Sequence, residues 1–317
     1  MDTVLNAFDA AQQWLYETAV QPLAYLLGLG SRLDDAYDGT GWLLVGLLQL
    51  LVLLLVIAPL QRWRPVEPLT DRAAVRVDVL YTLIHRLGLF RLAVYFTLTP
   101  LLEQGWGALR AAGMPTFHLD DLWPGVTDVP WVSFVLYLLV LDLFDYWLHR
   151  GQHRFEWWWR LHALHHAQRQ MTMWSDNRNH LLDDLIRDVL LVTLAQLIGV
   201  APGQFVAIVA LTQLSENLAH ANVRLSFGRV GERLWISPRF HRRHHSVGTG
   251  HESPGRALGG CNFGVLLPWW DMLFGTADFQ PRYEPTGVRD QVEQGRDYGR
   301  GFWAQQWLGL KRLVGRA

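Results

Sequence analysis

Residues 131–166 read WVSFVLYLLVLDLFDYWLHRGQHRFEWWWRLHALHH. From Trp131 to Leu148 the run is apolar until Asp142 and Asp145, and as a helix rising ~1.5 Å per residue it nearly crosses a ~30 Å hydrocarbon layer. Directly behind it, residues 149–166 hold five histidines and four aromatics. A membrane helix that ends in imidazoles needs a reason for them, and the spacing gives one. In HxxxH, His149 and His153 lie four apart, so on a helix their Cβ atoms sit about 5–6 Å apart on one face, a two-ligand clip for an ion.

The same logic applies to His162, His165 and His166, an HxxHH, and to His241, His244 and His245, a second HxxHH inside PRFHRRHHS. In each, the first and last residues form the clip while the middle one points ~100° away, towards a neighbouring site. Eight imidazoles exceed what one ion uses, so two metals are the economical reading. With 13 histidines in 317 residues, chance would place an HxxHH only about 0.02 times in such a chain. A solvated basic face is a poor account of motifs beside apolar segments, where idle polar groups are costly. His180 and His220 stand alone, and spacing leaves them balanced between ligand and structural roles. His85, His118 and His251 read as helix caps or solvated residues. Nitrogen-only coordination suits iron, zinc or copper and not magnesium or calcium. The HExxH of a zinc hydrolase is absent.

Outward from this stretch, composition agrees with a membrane setting. Half of the residues are hydrophobic and 18% are charged, with sixteen tryptophans, against ~25% charged in soluble domains. The single cysteine, Cys261, excludes an intrachain disulfide or a Cys-rich metal site. No nucleotide fingerprint and no nucleic-acid signature is present. The N-terminus has no basic n-region, so a signal peptide is not expected; residues 6–30 read instead as an interfacial helix. Residues 41–60, GWLLVGLLQLLVLLLVIAPL, are uncharged for the length of a crossing. LGLFRLAVYFTLTPLL, 87–102, contains Arg91 and Pro100 and reads as a tilted span or a helix inside a bundle, within a crossing at 84–102. The apolar region 185–219 breaks at Ala201-Pro202-Gly203, giving a hairpin that dips into or just crosses the bilayer. Arg62, Arg64, Arg72 and Arg76 follow the first span, whereas Arg32 is outnumbered by Asp34, Asp35 and Asp38 before it, so the basic side is expected in the cytoplasm. The histidines then face the cytoplasm too. The expected fold is an all-α integral membrane bundle of three to four spans or hairpins under a cytoplasmic histidine-rich helical cap. Its expected divisions are 1–130, 131–279 (catalytic) and a tail at 280–317.

The motifs resemble those of the fatty acid hydroxylase superfamily, or sterol desaturase family, of integral membrane non-haem di-iron oxidoreductases. Beyond HRGQH and HALHH, the resemblance takes in RNH (178–180), HANVRL (220–225), SPRFHRRHHS (237–246), CNFG (261–264) and WWDMLFGT (269–276), from about Asp142 to Phe279. It implies that His180 and His220 join the metal shell, for ten ligands: His149, His153, His162, His165, His166, His180, His220, His241, His244 and His245. Leu181 departs from the family's usual proline after His180, and the first 130 residues carry no motif. The resemblance further implies two irons, with zinc as an alternative in isolated protein, and O2 as co-substrate. It also implies a lipid drawn from the bilayer and an external electron donor of ferredoxin or cytochrome b5 type. Hydroxylation of an unactivated C–H bond is the leading reading, desaturation the runner-up, and a non-redox zinc site the rival from another class. Asp145, Asp183, Asp184 and Glu216 are candidates to orient the imidazoles. Phe155 with Trp157-Trp158-Trp159 reads as an interfacial belt or a tunnel mouth. Asn222 and Asn262 match the family without a role that the sequence assigns.

Overall fold

The computed structural model describes residues 2–247 and 259–317, so His251 lies outside the described residues. Among these the chain is all helical, its β pairing confined to an isolated bridge between Ser246 and Thr286. It forms two compact units, Met1–Val52 with Leu83–Ala108, and Leu53–Thr82 with Leu109–Ala317.

In the first unit, α1 (Asp2–Leu15) passes through a π turn into α2 (Gln21–Leu26). Tyr16 packs edge-on against Tyr37 of α3 (Leu33–Val52), and the Gln12 amide donates to Tyr37 O at 3.0 Å. The outer face keeps Trp14, Leu23, Tyr25, Leu26 and Leu27 exposed, the polarity of a helix lying against lipid. The chain continues from α3 through a π turn at Leu53–Ile57 into α4 (Ala58–Trp63), a 34-residue helix from Gly30 to Trp63. Pro59, without an N–H, falls beside the π turn, where the regular ladder is already interrupted.

The expected crossing at 84–102 is not one helix. α5 (Arg72–Arg86) ends at Gly88, which takes φ 74° while the Leu87 and Gly88 N–H groups donate to Leu83 O and His85 O. α6 (Leu89–Thr97) then leaves at 52°, and α7 (Thr99–Ala111) starts afresh with Pro100 in its first turn. The left-handed glycine is the physical reason: it caps α5 and redirects the chain. Arg91 lies with its guanidinium 3.5 Å from the centroid of the Trp42 ring, a cation–π contact that houses the charge in an apolar helix.

In the second unit, α8 (Pro130–Arg154) runs past the expected end at 148 and carries both histidines of HxxxH; Phe155 alone separates it from α9 (Glu156–His166). α10 (Leu181–Leu197) and α11 (Pro202–Ala219) form the expected hairpin, turned at Gly199 with φ 75° and restarted by Pro202. The hairpin turn is covered by protein: Tyr137 donates to Ile198 O and Gly199 O at 3.2 and 3.1 Å, and Phe117 N and Leu119 N donate to Leu197 O and Ile198 O. Leu119, Tyr137, Leu141, Ala195, Ile208 and Leu266 pack around it. The short helices α12 (Gly228–Gly231), α13 (Pro238–His244), α14 (Trp269–Leu273) and α15 (Arg289–Glu293) follow, and α16 (Phe302–Leu313) packs against α9. Gly30–Trp63 and Pro130–Arg154 are long and apolar enough to cross a bilayer, with a third crossing if the α5–α6 pair is one bent span.

Candidate metal centre

Nine of the ten expected histidines converge in two buried groups. His149, His153, His162, His166 and His244 form one; His165, His220, His241 and His245 form the other, one ring nitrogen from each histidine of a group lying within 4.8 Å of those of the others. The sorting follows the helical angle. His162 and His166 go to the first group and the middle residue, His165, to the second; His241 and His245 go to the second and the middle residue, His244, to the first. Each HxxHH therefore serves both groups, and the two groups are adjacent: His166 of one stacks on His245 of the other with centroids 4.2 Å apart.

In the second group the Nε2 atoms meet at 3.1 Å (His165–His220), 3.0 Å (His220–His241) and 3.1 Å (His241–His245). Neutral imidazoles have one N–H each, so a row of such Nε2–Nε2 approaches is a poor hydrogen-bond network. It is a good set of lone pairs aimed at one point. In the first group, the Nε2 atoms of His149, His162 and His166 meet no hydrogen-bond partner among the described residues. Burial pushes His165, His166, His241 and His245 well below the ordinary histidine range, and His244 down to about 3. These rings are neutral at physiological pH, the state in which imidazole binds a metal.

The opposite ring nitrogen is held in four of the nine. His162 Nδ1 donates to Asp183 Oδ2 at 3.0 Å, His149 Nδ1 to Phe263 O at 2.9 Å, His244 Nδ1 to Cys261 O at 2.7 Å and His220 Nδ1 to Glu216 O at 2.8 Å. Each bond fixes the tautomer that leaves Nε2 as the lone pair. Of the four acids expected to orient imidazoles, Asp183 does so with its carboxylate and is saturated, also accepting from Gln152 Nε2 at 2.8 Å and Trp158 Nε1 at 2.6 Å. Asp184 is buried next to it in the first turn of α10. Asp145 accepts instead from Arg187 at 3.1 Å, and the Glu216 carboxylate lies 3.7 Å from the same guanidinium; Glu216 reaches His220 through its backbone. Sequence reasoning missed Asp176, 3.7 Å from His220 Nδ1 and held by the Asn217 amide at 3.0 Å.

The loop 261–264 was legible as a motif but not as a device. Asn262 sits at φ 57°, its amide donating to Phe240 O and Asp278 O and its Oδ1 accepting from Asp278 N. Asp271 accepts from Phe263 N at 2.8 Å and Gly264 N at 2.7 Å. A Cβ on Gly264 would lie 2.7 Å from Leu267 O. Asp142, on α8, accepts from Leu266 N, Leu267 N and Trp270 Nε1. Together these residues hold the carbonyls of Cys261 and Phe263 against His244 and His149. Asn222 plays a similar part at a distance, accepting from Val66 N and Glu67 N and donating to Glu67 O.

His180 is the exception. It caps α10, its Nδ1 accepting from Leu182 N at 3.1 Å and its Nε2 donating to Gln306 O at 2.9 Å. With both nitrogens engaged, His180 lies in neither of the two groups. Gln306 of α16 completes the latch, accepting from Leu181 N and donating to Tyr81 OH and Asn179 O. The tryptophan run also divides: Trp158 and Trp159 are buried beside the histidines, whereas Phe155 and Trp157 are exposed. A cavity of about 500 Å³, lined by Arg150, His153, Arg154, Gly260, Phe263 and Thr276 among others, opens beside the first group.

Residues 134–276 match the sequence model of the family described as fatty acid hydroxylase, and all nine convergent histidines lie inside that match. An ornithine lipid hydroxylase of Rhizobium tropici is 29% identical over 246 residues, 75% of this chain and 68% of that protein. A delta(7)-sterol 5(6)-desaturase of Gibberella zeae is 24% identical over 159 residues, 49% of this chain and 46% of that protein. The chain thus spans about two thirds of the first relative and under half of the second. No solved structure matches it.

Proposed function

Residues 134–276 belong to the fatty acid hydroxylase family, and from that premise we propose that this membrane oxidoreductase hydroxylates an unactivated C–H bond of a membrane lipid at a two-iron centre. The observation that carries the reading is the pair of adjacent buried histidine groups. Their nitrogen-only donors, three of them with Nε2 unpartnered, fit two metal ions. At metal–nitrogen lengths near 2.05 Å, tetrahedral ligands stand ~3.3 Å apart and right-angled ones ~2.9 Å. The Nε2 separations of 3.0–3.1 Å in the second group fall between these values, the spacing of ligands that share one ion.

When bound, the irons supply activation of O2 and removal of hydrogen from carbon, with electrons from an external ferredoxin or cytochrome b5-type donor. The chain's residues do the rest. His149, His153, His162, His166 and His244 would hold one ion, and His165, His220, His241 and His245 the other. Asp183 and the carbonyls of Phe263, Cys261 and Glu216 keep the rings oriented, so little reorganisation is needed during turnover. Burial keeps bulk water from the site. The cytoplasmic placement of the histidines, from the arginines after the first span, and the division at 131 and 279 are part of the same proposal. A lipid with an amino-acid headgroup is the leading substrate class, because the ornithine lipid hydroxylase aligns over the larger share of the chain.

The second reading is desaturation, favoured by the sterol desaturase relative. Lipid extracts from cells with and without the gene separate the two: hydroxylation adds one oxygen to a lipid mass, and desaturation removes two hydrogens. Identical lipid profiles in cells making the protein and cells making its His165→Ala form would refute both.

A further inference from the structure

α16 is inside out. On this twelve-residue helix the fully buried residues are polar or small: Gln305 is 2% exposed, Gln306 8%, Arg312 3%, with Gly309 also buried, while Phe302 packs half-buried against Tyr81. The residues turned outward are apolar: Trp303 is 79% exposed, Trp307 60%, Leu310 39% and Val314 65%. At ~100° per residue, positions 303, 307, 310 and 314 fall within a stripe about 60° wide. A helix packed on a protein in water shows the opposite arrangement, its apolar stripe facing the core.

The inward polar groups bond within the protein, except Gln305 Oε1 and the Arg312 Nη atoms, which meet no hydrogen-bond partner among the described residues. Gln306 makes the four bonds of the His180 latch, Gln305 donates to Gly299 O at 3.2 Å, and Arg312 donates to Arg160 O at 3.3 Å while its guanidinium lies 4.4 Å from the Tyr298 ring centroid. Among the described residues, nothing covers its outer stripe. Lys311 stands 5.6 Å from the Trp307 ring centroid, and Lys311 with the exposed Arg316 makes this end of the helix basic. Tryptophans with lysine and arginine beside them are the composition of the headgroup level of a bilayer. The helix is also tied to the right place. Its end is bonded to Arg160 of α9 through Leu313 O and Arg312, and α9 begins one residue after the membrane helix α8 ends; Trp157, one turn before Arg160, is exposed as well.

We propose that α16 lies in the headgroup region of the bilayer, with Trp303, Trp307, Leu310 and Val314 as a lipid-contact stripe that favours anionic lipid. α16 lies beyond the family match, which ends at residue 276, and the assignment does not depend on the reaction proposed above. Because the other face of the helix clamps His180 and Asn179 through Gln306, just ahead of Asp183, the bilayer braces the metal-side end of α10 through this helix.

The test uses the full chain in nanodiscs of phosphatidylcholine and phosphatidylglycerol, with p-benzoylphenylalanine replacing Trp303, Trp307 or, as a control, the exposed Gln294. Irradiation should add the mass of one phospholipid at positions 303 and 307, more phosphatidylglycerol than its share of the disc, and none at 294. A chain-to-chain crosslink at 303 or 307 would assign the stripe to a second copy and overturn the proposal. Equal absence of lipid adducts at all three positions would overturn it too. Metal content of the same samples is read separately, so failure of the metal assignment leaves this result interpretable.

Discussion

Asp183→Asn isolates what the carboxylate does for the metal centre. Asp183 accepts three hydrogen bonds in a buried site, from His162, Gln152 and Trp158. Asparagine keeps the shape but has one acceptor oxygen and presents an NH2 where the other stood. At least one of the three donors therefore loses its partner, and a buried unsatisfied donor costs about 1–3 kcal/mol. His162 also loses the anion that favours its Nδ1–H tautomer, and mutation of such partners lowers metal affinity 10–100-fold, or about 1.4–2.7 kcal/mol. Two assays read the two effects: chelator competition for metal affinity, and thermal unfolding of metal-free protein in nanodiscs for stability. Asp145→Asn is the matched control, since that acid bonds Arg187 and no histidine, and its metal affinity should stay within about twofold, a change below ~0.5 kcal/mol. Wild-type metal affinity in Asp183→Asn, or an equal loss in Asp145→Asn, would refute the reasoning.

Further outcomes follow from other contacts. His180→Asn retains an N-cap acceptor for α10 and should keep full metal content, whereas His165→Ala should lose metal from the second group; loss of metal from the His180 variant would restore it as a ligand. Gly264→Ala puts a methyl 2.7 Å from Leu267 O and 2.8 Å from Asp271 Oδ2 and should destabilise by about 1–3 kcal/mol, contradicted by an unchanged melting temperature. For pH, the folded metal-free protein holds His244 at about 3 against an ordinary 6.5, through burial. The unfolded chain therefore binds more protons between these values, so stability is complete above pH 6.5 and declines as pH falls towards 3. The melting temperature of metal-free protein should drop between pH 7.5 and 5; a flat profile contradicts it.

The sorting of the histidines was legible because it depends on local geometry alone. A residue three along a helix turns away from the clip made by its neighbours, and the middle histidines His165 and His244 do so. His180 was not legible in that way. A capping histidine and a ligand look alike in sequence, and the group that decides between them, Gln306, lies 126 residues further on. The same holds for the acids, all near a histidine in sequence: Arg187 claims Asp145 and Glu216, and only the packing of α10 on α9 brings Asp183 to His162. The carbonyls of Cys261 and Phe263 carry no side-chain signature, although an asparagine and a glycine flanking them announce an unusual backbone. The bend after α5 falls at Gly88, but the apolar run continues through it and masks the break in the sequence.

The most direct test of the central claim follows oxygen. The protein, purified in lipid, loaded with iron and supplied with a reduced electron carrier, is incubated with a bacterial lipid extract under 18O2, and the lipids are weighed. The account predicts a hydroxylated lipid carrying one 18O atom from the gas, and none when His165 is replaced by alanine. A product lipid whose new oxygen comes from water, or two bound zinc ions that persist with no O2 uptake after iron loading, would contradict it.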